Sequence, residues 1–266
     1  RFGASRSSVR EALAALTYAG VLEVRGGSGY YVIGNPSLLI KDESARCAGK
    51  VVIAADEAWN IATYKRLLAA GADGIVLRTG QQQWNKQLRA IRQAASDMKT
   101  PVPILAEIPA ENIGAAVHLA LSASVDAIVI PGGAGAEALL AARRTIEEEN
   151  APASVIVRID APANSETLLR IADGAFFDVS LANGGFQKNL AVLIRQGTAN
   201  GKLLLFAAKA ADQPGPGKKY EELAAQAEIF GLDGIAFSPA GIALDNLADC
   251  LYLLRKKLKE AEERNQ

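Results

Sequence analysis

From residue 50 onward the chain alternates short apolar runs with longer helical patterns. The runs fall at 51–55, 74–78, 103–108, 127–131, 155–160, 174–179, 202–207 and 234–238. Such alternation is the signature of a parallel sheet assembled from βα units. Eight runs, each followed by a helical stretch, predict an α/β fold of the (β/α)8 barrel type. An internal echo supports the count. Ala72-Asp73-Gly74-Ile75, Val125-Asp126-Ala127-Ile128, Ala172-Asp173-Gly174-Ala175 and Leu232-Asp233-Gly234-Ile235 recur just before the second, fourth, sixth and eighth runs. A closed barrel whose even strands share a lead-in turn accounts for that spacing, whereas an open doubly wound sheet gives no reason for it. No Gly-x-Gly-x-x-Gly opens the first helix, so a dinucleotide site has little support.

The first 34 residues follow another pattern. Ser5 is a natural N-cap, and Val9, Ala12, Leu13 and Leu16 recur at helical spacing until Gly20 stops the helix. Val21-Leu22-Glu23-Val24-Arg25 and Tyr30-Tyr31-Val32-Ile33 then read as two strands around a Gly26-Gly27-Ser28-Gly29 tip. Helix followed by hairpin is the order of a winged helix-turn-helix. Its recognition helix would present Arg6, Ser7, Ser8 and Arg10 to a major groove. Residues 35–49 read as a polar linker with one apolar patch, Leu38-Leu39-Ile40. The expected domains are therefore a partial DNA-binding head at 1–34, a linker at 35–49 and a barrel at 50–266. Because the chain opens on Arg1 without a methionine, further head residues are expected upstream of it.

The front segment resembles the GntR family of bacterial regulators. The resemblance rests on Phe2-Gly3-Ala4-Ser5-Arg6-Ser7-Ser8-Val9-Arg10-Glu11-Ala12-Leu13, then Leu16, Gly20 and the Arg25-Gly26-Gly27-Ser28-Gly29 wing. It implies that Arg6, Ser7, Ser8 and Arg10 contact DNA and that Gly27 lets the wing backbone approach a groove. Gly26 and Ser28 stand where many members carry a proline and a basic residue, which implies weaker wing contacts.

Composition narrows the picture. Half the residues are hydrophobic and 22% are charged, enough for one large core and a small second domain. Two cysteines, Cys47 and Cys250, build no disulfide framework, so a reducing cytoplasm is the expected setting. No apolar run approaches the roughly 20 residues of a membrane span, and no signal peptide opens the chain. The formal net charge is zero, yet residues 1–34 carry Arg1, Arg6, Arg10 and Arg25 against Glu11 and Glu23. The basic excess sits at the front, where a nucleic-acid contact is expected.

Ligands of such barrels sit at the C-terminal strand ends. The polar residues expected there are Asp56, Arg78, Thr79, Glu107, Arg158, Asp160, Asp178, Ser180, Lys209 and Ser238. Alternation along Val155-Ile156-Val157-Arg158-Ile159-Asp160 points both Arg158 and Asp160 inward, and a charge inside a barrel mouth needs a partner or a ligand. The barrel segment, through Val157-Arg158-Ile159-Asp160, Ala172-Asp173-Gly174 and Gly201-Lys202, resembles the barrel domain of pyruvate kinase, without that family's inserted lid. The resemblance implies that Arg158 and Asp160 stand at the family's catalytic lysine and one metal-binding glutamate. It breaks down where Leu181 replaces a metal-binding aspartate, Ala208 a threonine and Val76 a phosphate-binding arginine. Phosphoryl transfer needs that metal and cation, so a non-catalytic bowl without metal or cofactor is expected.

Arg78, Arg158 and Lys209 would still attract a small phosphorylated or carboxylated metabolite. Gly132-Gly133 and the helix after Pro239-Ala240-Gly241 offer backbone nests for an anion. The expected whole is a homodimeric regulator whose partners are a DNA operator and that effector. One alternative is a working lyase or aldolase, with Lys209 as Schiff-base nucleophile or Glu107, Asp160 and Asp178 around a divalent metal. Another is a barrel kept for dimerisation alone. His118 falls on a helix away from the strand ends and reads as a satisfied surface residue, and packing under loops is expected of Trp59 and Trp84. The charges of the 251–259 helix are expected to be solvated, and residues 260–266 to fray.

Overall fold

The structure, a computed structural model, describes residues 50–80, 83–178, 181, 187–209, 224–227, 229–239 and 244–265, together with Leu13, 22–25 and 29–32 ahead of them. Strands β1 (Leu22–Arg25) and β2 (Gly29–Val32) pair antiparallel, with Leu22 opposite Val32 and Arg25 opposite Gly29. That register is the hairpin expected around the glycine-rich tip. Of the helix before it only Leu13 is described, and it is helical. Arg6, Ser7, Ser8, Arg10, Gly27 and the 35–49 linker lie outside the described residues.

Each of the eight apolar runs becomes a strand. These are β3 (Lys50–Ala54), β4 (Gly74–Arg78), β5 (Ile104–Glu107), β6 (Ala127–Pro131), β7 (Ser154–Ile159), β8 (Gly174–Asp178), β9 (Leu203–Lys209) and β10 (Gly234–Ser238). All pair in parallel with their chain neighbours, and β10 returns to β3 to close the barrel. The pairing can be carried once around from Lys50 through Gly234, Leu205, Phe176, Arg158 and Pro131. It comes back level with Ala58, a stagger of eight residues, which is the geometry of a (β/α)8 barrel.

Helices cover the outside: α1 (Ile61–Ala69), α2 (Trp84–Met98), α3 (Ile113–Ser122), α4 (Gly135–Glu148), α5 (Ser165–Ile171), α6 (Gln187–Ala199) and α7 (Leu244–Asn265), with helical residues 224–227 and 229–230 before β10. The last helix runs to Asn265, further than the fraying expected from residue 260.

Alternation along each strand divides the apolar side chains into two layers. Val52, Val76, Leu105, Val129, Ile156, Phe176 and Leu205 fill the barrel interior. Their neighbours Ile53, Ile75, Leu77, Ile128, Val157, Phe177 and Phe206 face outward, in one cluster with Leu67, Ile91, Leu139, Leu190 and Leu254 of the helices. Phe176 and Phe206 are fully buried, and each such side chain contributes roughly 1.5–3 kcal/mol.

The repeated aspartates explain the echo in the sequence. Asp73 accepts the backbone N–H of Val51 at 2.9 Å, Asp126 that of Ile104 at 2.8 Å, Asp173 that of Val155 at 2.9 Å and Asp233 that of Leu204 at 2.8 Å. Each aspartate also donates its own N–H to the carbonyl of the same residue, over 2.7–2.9 Å. Every even strand is thus clasped to the strand before it at the N-terminal end of the barrel, where the N–H that the aspartate side chain accepts would otherwise lack its acceptor. A close backbone approach follows at the seam. A Cβ on Gly234, whose φ is +154°, would stand 1.9 Å from the Lys50 carbonyl oxygen.

Cations from neighbouring helices reinforce the same end. Arg255 of α7 bonds the Gly71 carbonyl and stands 3.1 Å from Asp73. Arg143 of α4 bonds both the Ile171 carbonyl and Asp173, and Arg92 of α2 bonds the Ala123 and Ser124 carbonyls beside Asp126. Lys202 donates to the carbonyls of Leu169, Arg170 and Ala172, and burial holds its ammonium pKa below the ordinary value. Arg255 is exposed, as expected for the charges of the last helix, and also ties that helix to the β4 lead-in.

Two predictions follow from the clasp. Asp126→Ala leaves the Ile104 N–H without its acceptor and is expected to cost about 1–3 kcal/mol in a urea unfolding curve, while Asp126→Asn, which keeps an acceptor oxygen, costs less. Desolvation raises the Asp73 carboxyl above its usual range, outweighing the opposing hydrogen bond from Val51 and the charge of Arg255. A raised acid pKa favours the fold at low pH, and that contribution is lost as pH rises through the folded value. The stability of the wild type relative to Asp73→Asn is therefore expected to fall across that interval, measured by denaturant titration at a series of pH values.

Candidate functional site

The C-terminal ends of the strands converge on a shallow cleft. Its walls are Ala54, Val76, Arg158, Asp178, Ala207, Ala208, Ala236, Phe237 and Ser238, around 320 Å³ of free space that includes open solvent. The opening follows from residue size. Phe176, Ile156 and Leu205 fill the interior lower down, but the inward positions above them on β3, β9 and β10 hold alanine at 54, 207 and 236. Methyl groups leave the bowl unfilled and its walls apolar.

Arg158 enters this bowl from the penultimate position of β7, and its side chain is 24% exposed. Its Nη2 stands 3.4 Å from one oxygen of Glu107, while Arg78 Nε stands 3.9 Å from the other. Thr79 holds Glu107 from behind: its N–H and its hydroxyl both donate to the Glu107 carbonyl, at 2.9 and 3.2 Å. The Nε of Arg158 is buried without an acceptor, and the guanidinium makes no hydrogen bond among the described residues. Of the five N–H donors, that of Nε is enclosed without an acceptor, and the rest of the guanidinium meets one loose ion pair and open solvent. A ligand bearing an anionic oxygen is the chemistry that completes it.

The expected site residues divide accordingly. Arg158, Asp178 and Ser238 line the bowl, and Glu107 borders it through its ion pair. Arg78 stands at the rim with a side chain 62% exposed. Thr79 is buried and braces Glu107. Asp160 lies one residue beyond the end of β7 and is exposed, so the inward position expected for it is realised by Arg158 alone. Gly132 and Gly133 form a 3-10 turn after β6. A Cβ on Gly132 would meet the Arg158 carbonyl at 2.7 Å, so this glycine lets the turn press against the strand that carries the arginine.

Lys209 ends β9 opposite Ser238 in register, and its side chain, like Ser180 and the helix start after Pro239, lies outside the described residues. The alanine walls went unnoticed in the sequence because they carry no reactive group, although alternation toward the strand ends marks them. Val76 and Ala208, two positions at which the pyruvate kinase resemblance fails, are both cleft walls.

Other groups are satisfied locally. Tyr64 donates to Gln87, whose amide donates to the carbonyls of Glu57 at 2.7 Å and Trp59 at 3.1 Å. The Trp59 ring meets Tyr64 edge-on at 5.8 Å, in the packing role expected of it. Burial, aided by Asp56, raises the Tyr64 phenol pKa. Asp56 itself accepts the Ala58 N–H within its own turn. His118 of α3 pairs with Glu149, away from the strand ends. Among the described residues no three His, Cys, Asp or Glu side chains gather as a metal site. No described helix is long and apolar enough to cross a membrane.

No protein-family model matches the sequence, and no curated protein matches it.

The geometry makes the arginine separable from the fold. Arg158→Met keeps the packing of the stem and leaves Glu107 its ion pair with Arg78. Unfolding free energy is expected to change by less than about 1 kcal/mol, since no hydrogen bond is lost. A loss of several kcal/mol in denaturant titration would mark Arg158 as structural.

Proposed function

We propose that the chain is a DNA-binding transcription regulator whose barrel is a non-catalytic sensor of a small anionic metabolite. The observation that carries the sensor reading is the Arg158 guanidinium, partly exposed at the mouth of the barrel, with its Nε buried without an acceptor and Glu107 standing 3.4 Å from its Nη2. A half-open guanidinium with one loose ion pair has donors left for a carboxylate or phosphate oxygen. Binding therefore alters the bowl, which is the differential interaction a sensor needs.

The DNA-binding reading is supported by the front motif and by the 22–32 hairpin. A wing of this kind flanks a recognition helix, and Arg6 and Arg10 supply phosphate and base-edge contacts at its start. Heads of this type read two-fold operators, so the regulator acts as a homodimer.

The test is a gel shift with a duplex selected by the full chain from a random pool. The double substitution Arg6→Ala plus Arg10→Ala is expected to weaken retention by about tenfold or more, with the far-ultraviolet circular dichroism of the barrel unchanged. Equal retention by the double variant would remove the DNA-binding reading.

A further inference from the structure

We infer that the outer face of α3 is the self-association surface of the barrel, docking on the same face of a second copy about a two-fold axis parallel to the helix. This gives the homodimer of the regulator reading a place in the fold, and it rests on that reading only for the presence of two copies. Three observations carry it.

The first is the helix itself. Residues Ile113–Ser122 include no Asp, Glu, Lys or Arg, and Gly114, Ala115, His118, Leu119 and Ser122 form the exposed side. Leu119 is 40% exposed, and His118 turns to Glu149 at the end of α4. A surface helix ordinarily carries charge on its outer side, and each of α1, α2, α4, α5, α6 and α7 does. The exposed Tyr252 and Leu253 of α7, for instance, stand among Asp249, Arg255 and Lys256. An uncharged outer face set between charged ones marks an interaction surface.

The second is the charge on either side of it. On α2 the exposed cations are Lys86, Arg89 and Arg92, and the one acidic residue of that helix, Asp97, pairs with Lys65. On α4 the exposed charges are Glu137, Arg144, Glu147 and Glu148, while Arg143 is held by Asp173. Glu111 lies ahead of α3, in the loop at the mouth end. One flank of α3 is therefore basic and the other acidic on balance.

The third is how symmetry pairs these flanks. A two-fold axis parallel to α3 lays α2 of one copy opposite α4 of the other, cation against carboxylate on both sides at once. An axis crossing α3 at right angles would lay α2 on α2 and α4 on α4, like charge on like. Heights agree with the first arrangement: Arg89 and Glu137 stand in the upper halves of their helices, Arg92 and Glu148 in the lower. A barrel wall is convex, so two α3 ridges meet closely through small side chains while the long side chains of the flanks bridge the wider gap. The outcome is the apolar centre and polar rim of a specific interface.

Sedimentation velocity of the full chain over a range of concentrations reads this association. The wild type is expected to show a monomer–dimer equilibrium that added salt weakens, because the flanks are exposed. Leu119→Glu, which sets a charge on the ridge, is expected to weaken it about tenfold or more with the urea midpoint retained. Arg89, whose bond among the described residues is to the Asn85 carbonyl of its own helix, can be reversed without touching a neighbour. Arg89→Glu and Glu137→Arg are each expected to weaken the dimer severalfold, and the two together in one chain to restore it. A dimer that survives Leu119→Glu and both single reversals would overturn the face and leave a homodimeric regulator standing. Loss of the dimer in Leu119→Glu without rescue by the double reversal would overturn the two-fold arrangement. A wild type that stays monomeric at every concentration would overturn the face and the homodimer together, with the gel shift deciding DNA binding separately.

Discussion

An aspartate that accepts an N–H near the start of one strand while giving its own N–H to the same residue's carbonyl is the constraint from which the rest of this barrel follows. Parallel strands begin with backbone groups that point out of the sheet at its lower end, and each clasp satisfies two of them at once. The aspartate just before the even strand fixes the register of that strand on its predecessor. Four such registers, taken with the seams between them, close the circuit with the stagger of eight. Desolvation works against the arrangement, as the raised Asp73 carboxyl records, and the α7 arginine beside it opposes that effect only in part. The lower rim is consequently an almost fully satisfied network.

The upper rim is the opposite. Small side chains stop the packing short, and the cation there is left without hydrogen bonds. Consistency between local rules and global fold is expected to fail at sites that work rather than at sites that hold the structure together. In this molecule the aspartate clasps lie at one end of the barrel axis and the loosely paired Arg158 at the other. Gly132 links the bowl to the frame, since the turn after β6 can reach the backbone at Arg158 only where no side chain intervenes.

Much of this was legible in the residues. The apolar runs marked the strands to within a residue or two, because burial on both faces leaves them continuous while the helices between them are amphipathic. The Asp-Gly and Asp-Ala echoes pointed to a closed sheet, although their chemistry, a side chain bonded to the strand before, lies 18 to 29 residues away in sequence and has no local signature. At the mouth, alternation found Arg158. It misjudged Asp160 because β7 ends one residue sooner, and the pleat that would have aimed that carboxylate inward ends with it. The solvated position expected of Arg255 holds, but its acceptor had no local signature, because it belongs to the first βα unit and barrel closure brings together residues 182 apart. The hairpin pairing at 22–32 agrees with its glycine-rich tip, whereas the regulator reading rests on side chains that precede it.

Because each clasp is closed within one pair of consecutive strands, the barrel is four self-contained brackets set in a ring. The arginines that reach a bracket come from the helix of its neighbour in the ring, an adjacency that does not depend on where the polypeptide begins. The order of synthesis is thus incidental to the finished ring. A gene recut so that the protein started at β5, β7 or β9, with its present ends joined, would preserve every one of the four brackets and would still assemble from short-range pieces before the ring shut.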